Sequence, residues 1–495
     1  MRQTFIVLSV VLAIAGMSIA SEPFQQIRGV IHLDTTVSGG EYDPEKMVDF
    51  LHEHNLKVAI FSDHITVRIE YGVFPARQIT GWIVGKIIAN AFDRTGSVTN
   101  YGPENYLALL DELDRKYEDM TVIPGVEAIP FYYWDGSPFL GRLTMHNGYK
   151  HLLAFGMVQP DDYAGLPTVG EGFLNHYNWE TVLSLWPLVL VFFGIKCFQR
   201  ARSSRRYRSY RFPAILFLGV GILFLIHNFP YKFGKYDQYH GDQGLGPYQD
   251  FVDYVADHNG LVFWAHPEVS SDISYGEIGP VKIRGITPAS YQDLLYLQNY
   301  TGFAALYEGM KYMIPPGGIW DQVLEQYCRG YRQKPVWAIA EGDVEGESFS
   351  PTLSQTVFLV RERSREEILQ SLREGRIYGV CGPLADNLSL TEYALSSDEG
   401  ATADTGETLE SKHGKLTFRA VLACKESKLG NTIDVELIRD GEVIGKYKGK
   451  GLVKITHTEE LAADGRIHYY RLDARAPKQS RLISNPIFVR STGSL

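Results

Sequence analysis

The stretches VIHLDTTVSGG, residues 30–40, and VAIFSDH, residues 58–64, predict the architecture of this chain. Each contains a short apolar run, which is typical of a buried strand. The two runs finish on side chains that can bind a metal ion, namely His32, Asp34, Asp63 and His64. Metal-capable groups at the ends of neighbouring strands predict a polar site at one rim of a sheet.

One amphipathic helix is predicted between these two runs. Asp43 is suited to cap its N-terminus, and Pro44 suits its first turn. The apolar residues Met47, Val48 and Leu51 recur at helical spacing. Strand, helix and strand in this order predict a β-α-β unit, and polar groups at its rim are found in enzymes more often than in binding modules.

The N-terminus is predicted to be a secretory signal and not part of the fold. Arg2 precedes an apolar run from Phe5 to Ala15, and residues 18–20 supply a small-x-small cleavage pattern. An uncleaved membrane anchor is the alternative, for which the run is short. The signal is assigned to residues 1–20.

Two longer apolar stretches, residues 179–198 and 212–229, have about the length that a bilayer core requires. The loop 196–211 between them contains seven Lys and Arg residues and no acid, and basic loops stay in the cytoplasm. Buried core helices are the alternative, which so many arginines disfavour. The sequence therefore predicts a transmembrane hairpin at residues 179–230, with both flanking parts outside the cytoplasm, in the periplasm or at the cell exterior.

The 495 residues are too many for one ordinary domain. Apolar strands alternate with helices on both sides of the hairpin, which predicts an α/β fold with a parallel β/α barrel. The hairpin interrupts this barrel, whose parts are residues 21–178 and 231–384. Residues 385–495 show no helical periodicity. Short strand-like runs alternate there with turn residues, which predicts an antiparallel β-sandwich.

Charge and cysteine content limit the partners. The net charge is −10 although the loop of the hairpin is strongly basic, so the remainder is acidic and nucleic acid is not expected as a partner. The four cysteines are too few for a disulfide framework. One bridge among Cys328, Cys381 and Cys424 is compatible with an oxidising compartment, but the sequence does not define it.

Acids and histidines recur at the predicted strand ends: His32, Asp34, Asp63, His64, Glu127, His151, His266, Asp343 and Glu345. A single residue of this kind is more often a structural histidine or a helix cap. A barrel, however, gathers the ends of successive strands into one rim. So many charged groups there would repel one another without a cation, and imidazole with carboxylate suits Zn, Mn or Fe.

The order of these motifs resembles the PHP (polymerase and histidinol phosphatase) family. The resemblance runs from Ile27 to about Pro383, excluding the hairpin, and rests on six motifs: HLD at 32–34, SDH at 62–64, GVE at 125–127, His151 before LLAFG, AHP at 265–267 and GDVE at 342–345. It implies a distorted seven-stranded β/α barrel with a site for two or three metal ions. It also implies hydrolysis of phosphate esters.

The resemblance also implies a set of metal ligands: His32, Asp34, His64, Glu127 as the bridging carboxylate, His151, His266, Asp343 and Glu345. Three positions depart from the family pattern. Asp34 replaces a histidine, Gly39 stands where an acid or histidine normally follows the serine, and Glu345 replaces the last histidine. Because Gly39 and Glu345 alter the usual third-metal ligands, we expect two divalent ions. The added carboxylate favours Mn or Fe over Zn.

The reaction implied by the resemblance is metal-assisted hydrolysis, in which two cations bridged by Glu127 activate a shared water. Arg68 and Arg77, on the predicted rim loop, are candidates for clamping a substrate phosphate, and an ordinary surface arginine is an equally good interpretation. Asp63 is predicted to assist catalysis by orienting a neighbouring ligand.

Three functions are compatible with these patterns. The first is an extracytoplasmic, membrane-tethered metal-dependent phosphomonoesterase or phosphodiesterase, acting on a phosphorylated small molecule or an envelope-derived substrate. The second is a degenerate PHP barrel that serves as a non-catalytic envelope scaffold or sensor, with the C-terminal domain as its interaction module. The third is hydrolysis of a non-phosphate bond. Joint retention of Glu127, His151, His266 and Asp343 favours an enzyme.

Overall fold

The computed structural model describes residues 24–66, 69, 71–72, 96–169, 177, 179–203, 207–229, 231, 234–306, 308–346, 350, 353–411, 414–425, 432–460 and 464–491. The predicted signal at residues 1–20 and the rim residues Arg68 and Arg77 lie outside the described residues. The other predicted site residues lie within them.

The structure contains these strands in chain order: β1 Gln25–Leu33, β2 Val58–Phe61, β3 Thr121–Ile123, β4 Gly125–Ala128, β5 Tyr133–Ser137, β6 Arg142–His146, β7 Leu152–Phe155, β8 Leu261–Trp264, β9 Ser271–Ile278, β10 Val281–Thr287, β11 Gly302–Leu306, β12 Trp337–Val344, β13 Ser354–Val360, β14 Ile377–Cys381, β15 Leu388–Ser397, β16 Thr402–Asp404, β17 Thr408–Ser411, β18 Lys415–Cys424, β19 Thr432–Arg439, β20 Glu442–Lys450, β21 Leu452–Glu460, β22 Ile467–Arg475, β23 Arg481–Ser484 and β24 Ile487–Ser491. It contains these α-helices: Pro44–Glu53, Val98–Tyr101, Pro103–Lys116, Pro160–Ala164, Trp179–Ser184, Pro187–Ser203, Tyr207–Asn228, Gly246–Asp257, Ile319–Cys328 and Arg365–Glu374.

The helix predicted between the first two strands is confirmed. It spans Pro44–Glu53, and the Asp43 side chain accepts a hydrogen bond from the N–H of Lys46 at 2.8 Å. Its predicted apolar face, which includes Leu51, is buried against the core. Capping and amphipathic periodicity are local signals, so the sequence alone located this helix.

The strand pairings of β1–β4, β7, β8, β11 and β12 follow a circuit. β1 lies parallel to β2 on one side and to β12 on the other. β2 continues to β3, and β12 leads through β11, β8 and β7 to β4. Only Pro124 separates β3 from β4, because proline cannot donate a ladder hydrogen bond. A parallel bridge between His64 and Glu127 joins the segment after β2 to β4.

One strand of this circuit runs against the predicted direction. β7 is antiparallel to both β4 and β8, so the prediction of a uniformly parallel barrel is wrong at this strand. Parallel neighbours require a crossover connection, usually a helix. No α-helix lies in the described segment between β4 and β7; instead, β5 and β6, joined by a short 3-10 helix, form a hairpin there. The chain therefore returns in the opposite direction.

A second sheet, which the sequence did not predict, covers this part of the molecule. Its strand order is β5-β6-β10-β9. β6 and β10 come from distant parts of the chain and pair in parallel. The hairpin β9–β10 follows His266, and the hairpin β5–β6 precedes His151. Two excursions of the chain next to predicted site residues thus pack as one layer.

The C-terminal region is continuous with the main sheet. β23 pairs with β14 antiparallel, which links β22, β24 and β17 to the circuit through β13 and β1. A separate four-stranded sheet, β16-β15-β18-β21, shares a buried core with these strands. The predicted sandwich of antiparallel strands differs from the structure in one pair, because β17 and β24 are parallel.

A buried ion pair connects the C-terminal region to the rest of the protein. Arg471 on β22 donates two hydrogen bonds to the carboxylate of Asp321, at 2.7 and 2.6 Å, and a third to the carbonyl of Ile314. The guanidinium also lies over the ring of Trp320, 4.9 Å from its centroid. Arg471 is fully buried and Asp321 nearly so, which makes this pair sensitive to loss of either partner.

Two helices of the hairpin are long and apolar enough to cross a membrane, judged by length and composition. The stretches Thr181–Ser203 and Ser209–Asn228 each have a mean hydropathy of 1.9. Core helices would be mostly buried, whereas only 17% and 11% of these stretches are buried. A Cβ at Gly194 would collide with Leu218, so glycine permits the close helix packing seen in membrane pairs.

The four cysteines are all free in the structure. The bridge that the sequence left open among Cys328, Cys381 and Cys424 is therefore not formed here. Cys381 and Cys424 are buried, and burial raises the pKa of the Cys381 thiol to about 11. Such a thiol is unreactive at neutral pH.

We expect Arg471→Ala to lower the free energy of unfolding by about 3 to 5 kcal/mol, because it leaves the Asp321 carboxylate buried without its cation. Urea unfolding of the purified protein measures this change. Arg329→Ala is the control, since it breaks the exposed pair with Glu325 and should cost no more than about 0.5 kcal/mol. Equal costs for the two variants would contradict the role assigned to the buried pair.

Candidate metal centre

Glu127 lies at the centre of the candidate site. It is part of β4 and its side chain is buried. Its Oε1 lies 2.5 Å from His151 Nδ1, 3.3 Å from His32 Nε2 and 3.4 Å from His266 Nε2. Its Oε2 lies 3.1 Å from His64 Nε2. Four predicted ligands, from four different parts of the chain, thus meet at one carboxylate.

The reversed strand explains how His151 reaches this rim. His151 immediately precedes β7. Because β7 runs antiparallel to β4, with Leu152 opposite Ala128, the start of β7 lies at the same edge as the end of β4. The His151 side chain consequently lies 3.2 Å from His266, measured between Nδ1 and Nε2. His151, although it lies at the beginning of its strand, therefore reaches the same rim as residues at the ends of the parallel strands.

His32 enters the site through an irregularity in β1. The register of β1 shifts between Ile31 and Leu33 against both β2 and β12, which is the signature of a bulge, and bulges re-aim side chains. His32 Nε2 then lies 3.7 Å from Asp34 Oδ2 and 3.5 Å from Asp343 Oδ1. The bulge therefore gathers these two acids around the imidazole.

Three of the predicted ligands adopt backbone conformations with positive φ. The values are 75° for His32, 28° for His266 and 47° for Asp343. Residues other than glycine rarely occupy this region, and each such position costs about 1 to 3 kcal/mol. Strain of this kind persists where the surrounding structure enforces it, and it concentrates at functional sites.

Three overlapping groups of side chains offer ligand atoms that lie within 4.8 Å of one another: Glu127, His151 and His266; His32, Asp34 and Asp343; and Asp34, His64 and Glu127. His32 Nε2, Asp34 Oδ2 and Glu127 Oε1 are buried and accept or donate no hydrogen bond within the described part of the chain. These atoms face charged neighbours but lack a hydrogen bond, which is costly for a buried polar atom, and a cation would satisfy all three. The residues therefore fit a divalent metal.

Proton affinities in the site point the same way. Burial and the Glu127 carboxylate raise the pKa of Asp34 well above its ordinary range. Burial lowers the pKa of His266, but Glu127 and Glu341 outweigh it and raise the pKa to about 9. Burial raises the pKa of Glu127, but His151, His64 and His32 outweigh it and hold the pKa well below its ordinary range. In the absence of a cation, protons balance the crowded acids.

Asp63 lies beside the site, and its predicted role of orienting a neighbouring ligand stays a prediction. Its carboxylate accepts hydrogen bonds from the N–H of Thr35 at 2.8 Å, from the Thr35 hydroxyl and from the Ser38 hydroxyl. It therefore holds the loop that follows β1, and it belongs to none of the three ligand groups found among the described residues. Its link to a ligand is indirect, because Ser38 also contacts Asp34 at 3.4 Å.

The three residues that depart from the family pattern, Gly39, Asp34 and Glu345, have different surroundings in the structure. Gly39 adopts φ 114°, a conformation that favours glycine, so a ligand side chain at this position would require a different backbone. Asp34 belongs to two of the ligand groups, whereas Glu345 belongs to none of those found in the described residues. The backbone carbonyl of Glu345 accepts a hydrogen bond from the N–H of Glu41.

Glu341 is the residue that sequence reasoning did not assign to the site. It is fully buried on β12, and its Oε2 lies 3.1 Å from His32 Nδ1. Its Oε1 accepts a hydrogen bond from the N–H of His266 at 2.9 Å. A signal was present, because Glu341 is an acid at the end of an apolar run, two residues before Asp343.

Comparisons with known proteins were made against families, curated proteins and solved structures. No family model and no curated protein matches the chain. One similar structure is a two-domain protein from Bacteroides vulgatus that contains a predicted PHP-like metal-dependent phosphoesterase, with a TM-score of 0.35 and 11% identity over 94% of this chain and 95% of the other. Another is a candidate metal-dependent phosphoesterase from Bifidobacterium adolescentis, with a TM-score of 0.26 and 13% identity over 65% of this chain and 90% of the other.

At these TM-scores and identities, the function has to be decided by the chain's own site.

We expect the metal-free protein to lose stability as the pH rises from 6.5 to about 9. The folded-state pKa of His266 is raised to about 9 from 6.5, so in this window the folded protein binds more protons than the unfolded chain, and its stability falls with pH. Added Mn²⁺ should reverse the trend, because ligands must lose protons to bind it. The thermal midpoint in chelator and in Mn²⁺ at each pH is the measurement.

His266→Gln is the matched variant for this test, since it removes the titrating imidazole and keeps a polar side chain. Its metal-free thermal midpoint should depend less on pH than that of the original protein. An unchanged slope would show that other groups cause the dependence.

Proposed function

We propose that this chain is a metal-dependent hydrolase of phosphate esters built on a distorted β/α barrel of the PHP kind. The observation that carries the proposal is the arrangement around Glu127, which belongs to two of three overlapping groups of ligand side chains. A lone cluster of acids is common on protein surfaces. Here the ligand side chains are buried, apart from a partly exposed Asp343, and three of them adopt strained backbone conformations.

The two oxygens of Glu127 support a site for two ions. Oε1 faces His151 and His266, and Oε2 faces His64. A carboxylate with histidines on both oxygens is suited to bridge two cations. When bound, such a pair of divalent ions supplies Lewis acidity and an activated water for attack on a phosphoryl group. The mixture of carboxylates and imidazoles is compatible with Mn, Fe or Zn.

The chain's own groups would prepare the site for this chemistry. Asp34 and Asp343 place carboxylates beside His32. These carboxylates would hold cations close to the charge that develops in a phosphoryl transition state. Asp63 would fix the loop carrying Asp34 through Ser38. Asp343 retains 37% of its side-chain exposure, so substrate would approach from its side. Arg68, which lies outside the described residues, stays a candidate phosphate clamp on the basis of the sequence.

The proposal includes attachment to a membrane. The helices Pro187–Ser203 and Tyr207–Asn228 would form a transmembrane hairpin, since their large apolar side chains, such as Phe193 and Ile226, are exposed. The basic loop 196–211 would lie in the cytoplasm. The catalytic part and the C-terminal region would then both lie outside it, in the periplasm or at the cell exterior. The substrate would be a phosphorylated small molecule or an envelope-derived ester.

We expect the protein purified without chelator to contain about two equivalents of Mn, Fe or Zn per chain, as a two-metal hydrolytic centre requires. The variant carrying both Glu127→Ala and His266→Ala should lose the metal, because it removes the shared carboxylate and one of its partners. Hydrolysis of bis(4-nitrophenyl) phosphate or 4-nitrophenyl phosphate should fall by more than about 100-fold, the upper range for supporting residues around a metal.

Plasma mass spectrometry and absorbance assays measure metal and activity. His258→Ala is the control, because His258 belongs to none of the ligand groups of the described residues. A protein that binds no metal even in excess Mn²⁺ would contradict the proposal and favour a non-catalytic scaffold. Metal with activity only toward 4-nitrophenyl acetate would instead assign the site to a non-phosphate bond.

The proposed topology predicts opposite labelling of two introduced cysteines. Ser203→Cys lies at the loop of the hairpin. It should be protected from a membrane-impermeant maleimide in intact cells whose cytoplasmic membrane is closed but whose outer layers admit the reagent. Tyr177→Cys precedes the first apolar stretch, is exposed to 70% and should react. Labelling after cell lysis controls for accessibility. Reaction of Ser203→Cys in intact cells would contradict a cytoplasmic loop.

A further inference from the structure

The buried carboxylate of Glu341 lies behind the site, on the far side of His32. It is fully buried on β12, and its backbone is paired with Ile31 of β1. It belongs to none of the three ligand groups found among the described residues. It nevertheless contacts two of the predicted ligands directly. A buried acid in this position needs an explanation, since burial of an unpaired charge is costly.

Each oxygen of Glu341 has its own partner. Oε2 lies 3.1 Å from His32 Nδ1, and Oε1 accepts the backbone N–H of His266 at 2.9 Å. An ionised carboxylate can only accept hydrogen bonds. The tautomer of His32 that carries its proton on Nδ1 donates to such a carboxylate. When His32 is neutral, its Nε2 keeps a free lone pair, and Nε2 is the atom that faces Glu127 and Asp343.

The same carboxylate also touches the two histidines whose backbones are strained. His32 has φ 75° and His266 has φ 28°. A hydrogen bond to the N–H of His266 fixes the backbone from which that side chain projects. A hydrogen bond to Nδ1 of His32 fixes the tautomer and the ring plane. One acid thus holds a ligand from β1 and a ligand from the segment after β8 in a common orientation.

We propose that Glu341 is the positioning residue of the metal centre: it aims His32 and His266 at the bound ion without binding the ion itself. This inference rests on the proposed function, because it requires a metal at the site. A carboxylate behind a metal-bound histidine typically contributes 10- to 100-fold in metal affinity.

The geometry explains why glutamate is required at this position. Glutamine has one acceptor oxygen and one amide nitrogen that only donates. It can satisfy either His32 Nδ1 or the N–H of His266, and its NH₂ group would face the other donor. Glu341→Gln keeps the size of the side chain, so it changes the chemistry while leaving the packing volume almost unchanged.

The test measures Mn²⁺ and Zn²⁺ affinity of the full chain by competition with a chromophoric chelator. Glu341→Gln should bind about 10- to 100-fold more weakly than the original protein. Glu268→Gln is the matched control. Glu268 lies two residues after His266 and accepts backbone N–H groups of Lys311, Tyr312 and Met313. Glu268→Gln makes the same chemical change at a residue that the structure does not place against His32. The metal affinity of this variant should equal that of the original protein.

A double-mutant cycle separates positioning from simple loss of stability. In a His32→Ala background, Glu341→Gln should weaken metal binding by less than it does in a His64→Ala background, because residues that act together are not additive. Equal effects in the two backgrounds would overturn the inference. So would unchanged metal affinity of Glu341→Gln accompanied by a lower metal-free thermal midpoint, which would assign Glu341 to folding alone.

The two proposals fail in different ways. If the original protein binds metal and Glu341→Gln binds it equally well, the positioning role is wrong and the metal centre stands. If the original protein binds no metal, both the metal centre and the role of Glu341 are wrong.

Discussion

The structure depends on keeping the Glu127 carboxylate buried among imidazoles. A buried acid is tolerated only when opposite charge or hydrogen-bond donors surround it. Three histidines supply this around Glu127 and hold its pKa well below the ordinary range. The acids Asp34 and Asp343, however, add further negative charge nearby. The negative charge of these acids therefore has to be compensated by bound protons or by cations, because apolar packing cannot compensate it.

The architecture of the sheet serves this one arrangement. Parallel strands bring β1, β4 and the segment after β8 to the same rim, the reversed strand brings the start of β7 there, and the bulge in β1 turns His32 inward. A regular barrel would place every ligand at a strand end. Here His151 precedes its strand, whereas His32, Glu127 and Asp343 lie inside theirs. Positive φ values at His32 and Asp343 accompany this irregular placement.

The ordered motifs predicted most of the side chains that the structure brings together around Glu127, because residue type and strand-end position are local signals. The reversal of β7 was not predicted, although the lack of a helical pattern between Ala128 and Leu152 indicated it. The roles of Glu341 and Glu345 could not be separated either. Both are acids near Asp343, and only the local register of β12 against the bulge decides which one reaches the histidines. The hydrogen-bond partners of Asp63, Thr35 and Ser38, likewise became known only from the structure.

The position of the hairpin also determines the order in which the protein can be made. The circuit needs β8, β11 and β12, and all three follow residues 181–228 in the chain. During synthesis, β1 to β7 are made before the strands β8, β11 and β12 that complete the circuit, and two apolar helices are made in between. The pairing of β1 with β12 closes a loop of about 300 residues, which is a slow step. The first part of the chain is then exposed to aggregation, so its survival depends on rapid synthesis of the remainder or on a chaperone that holds it.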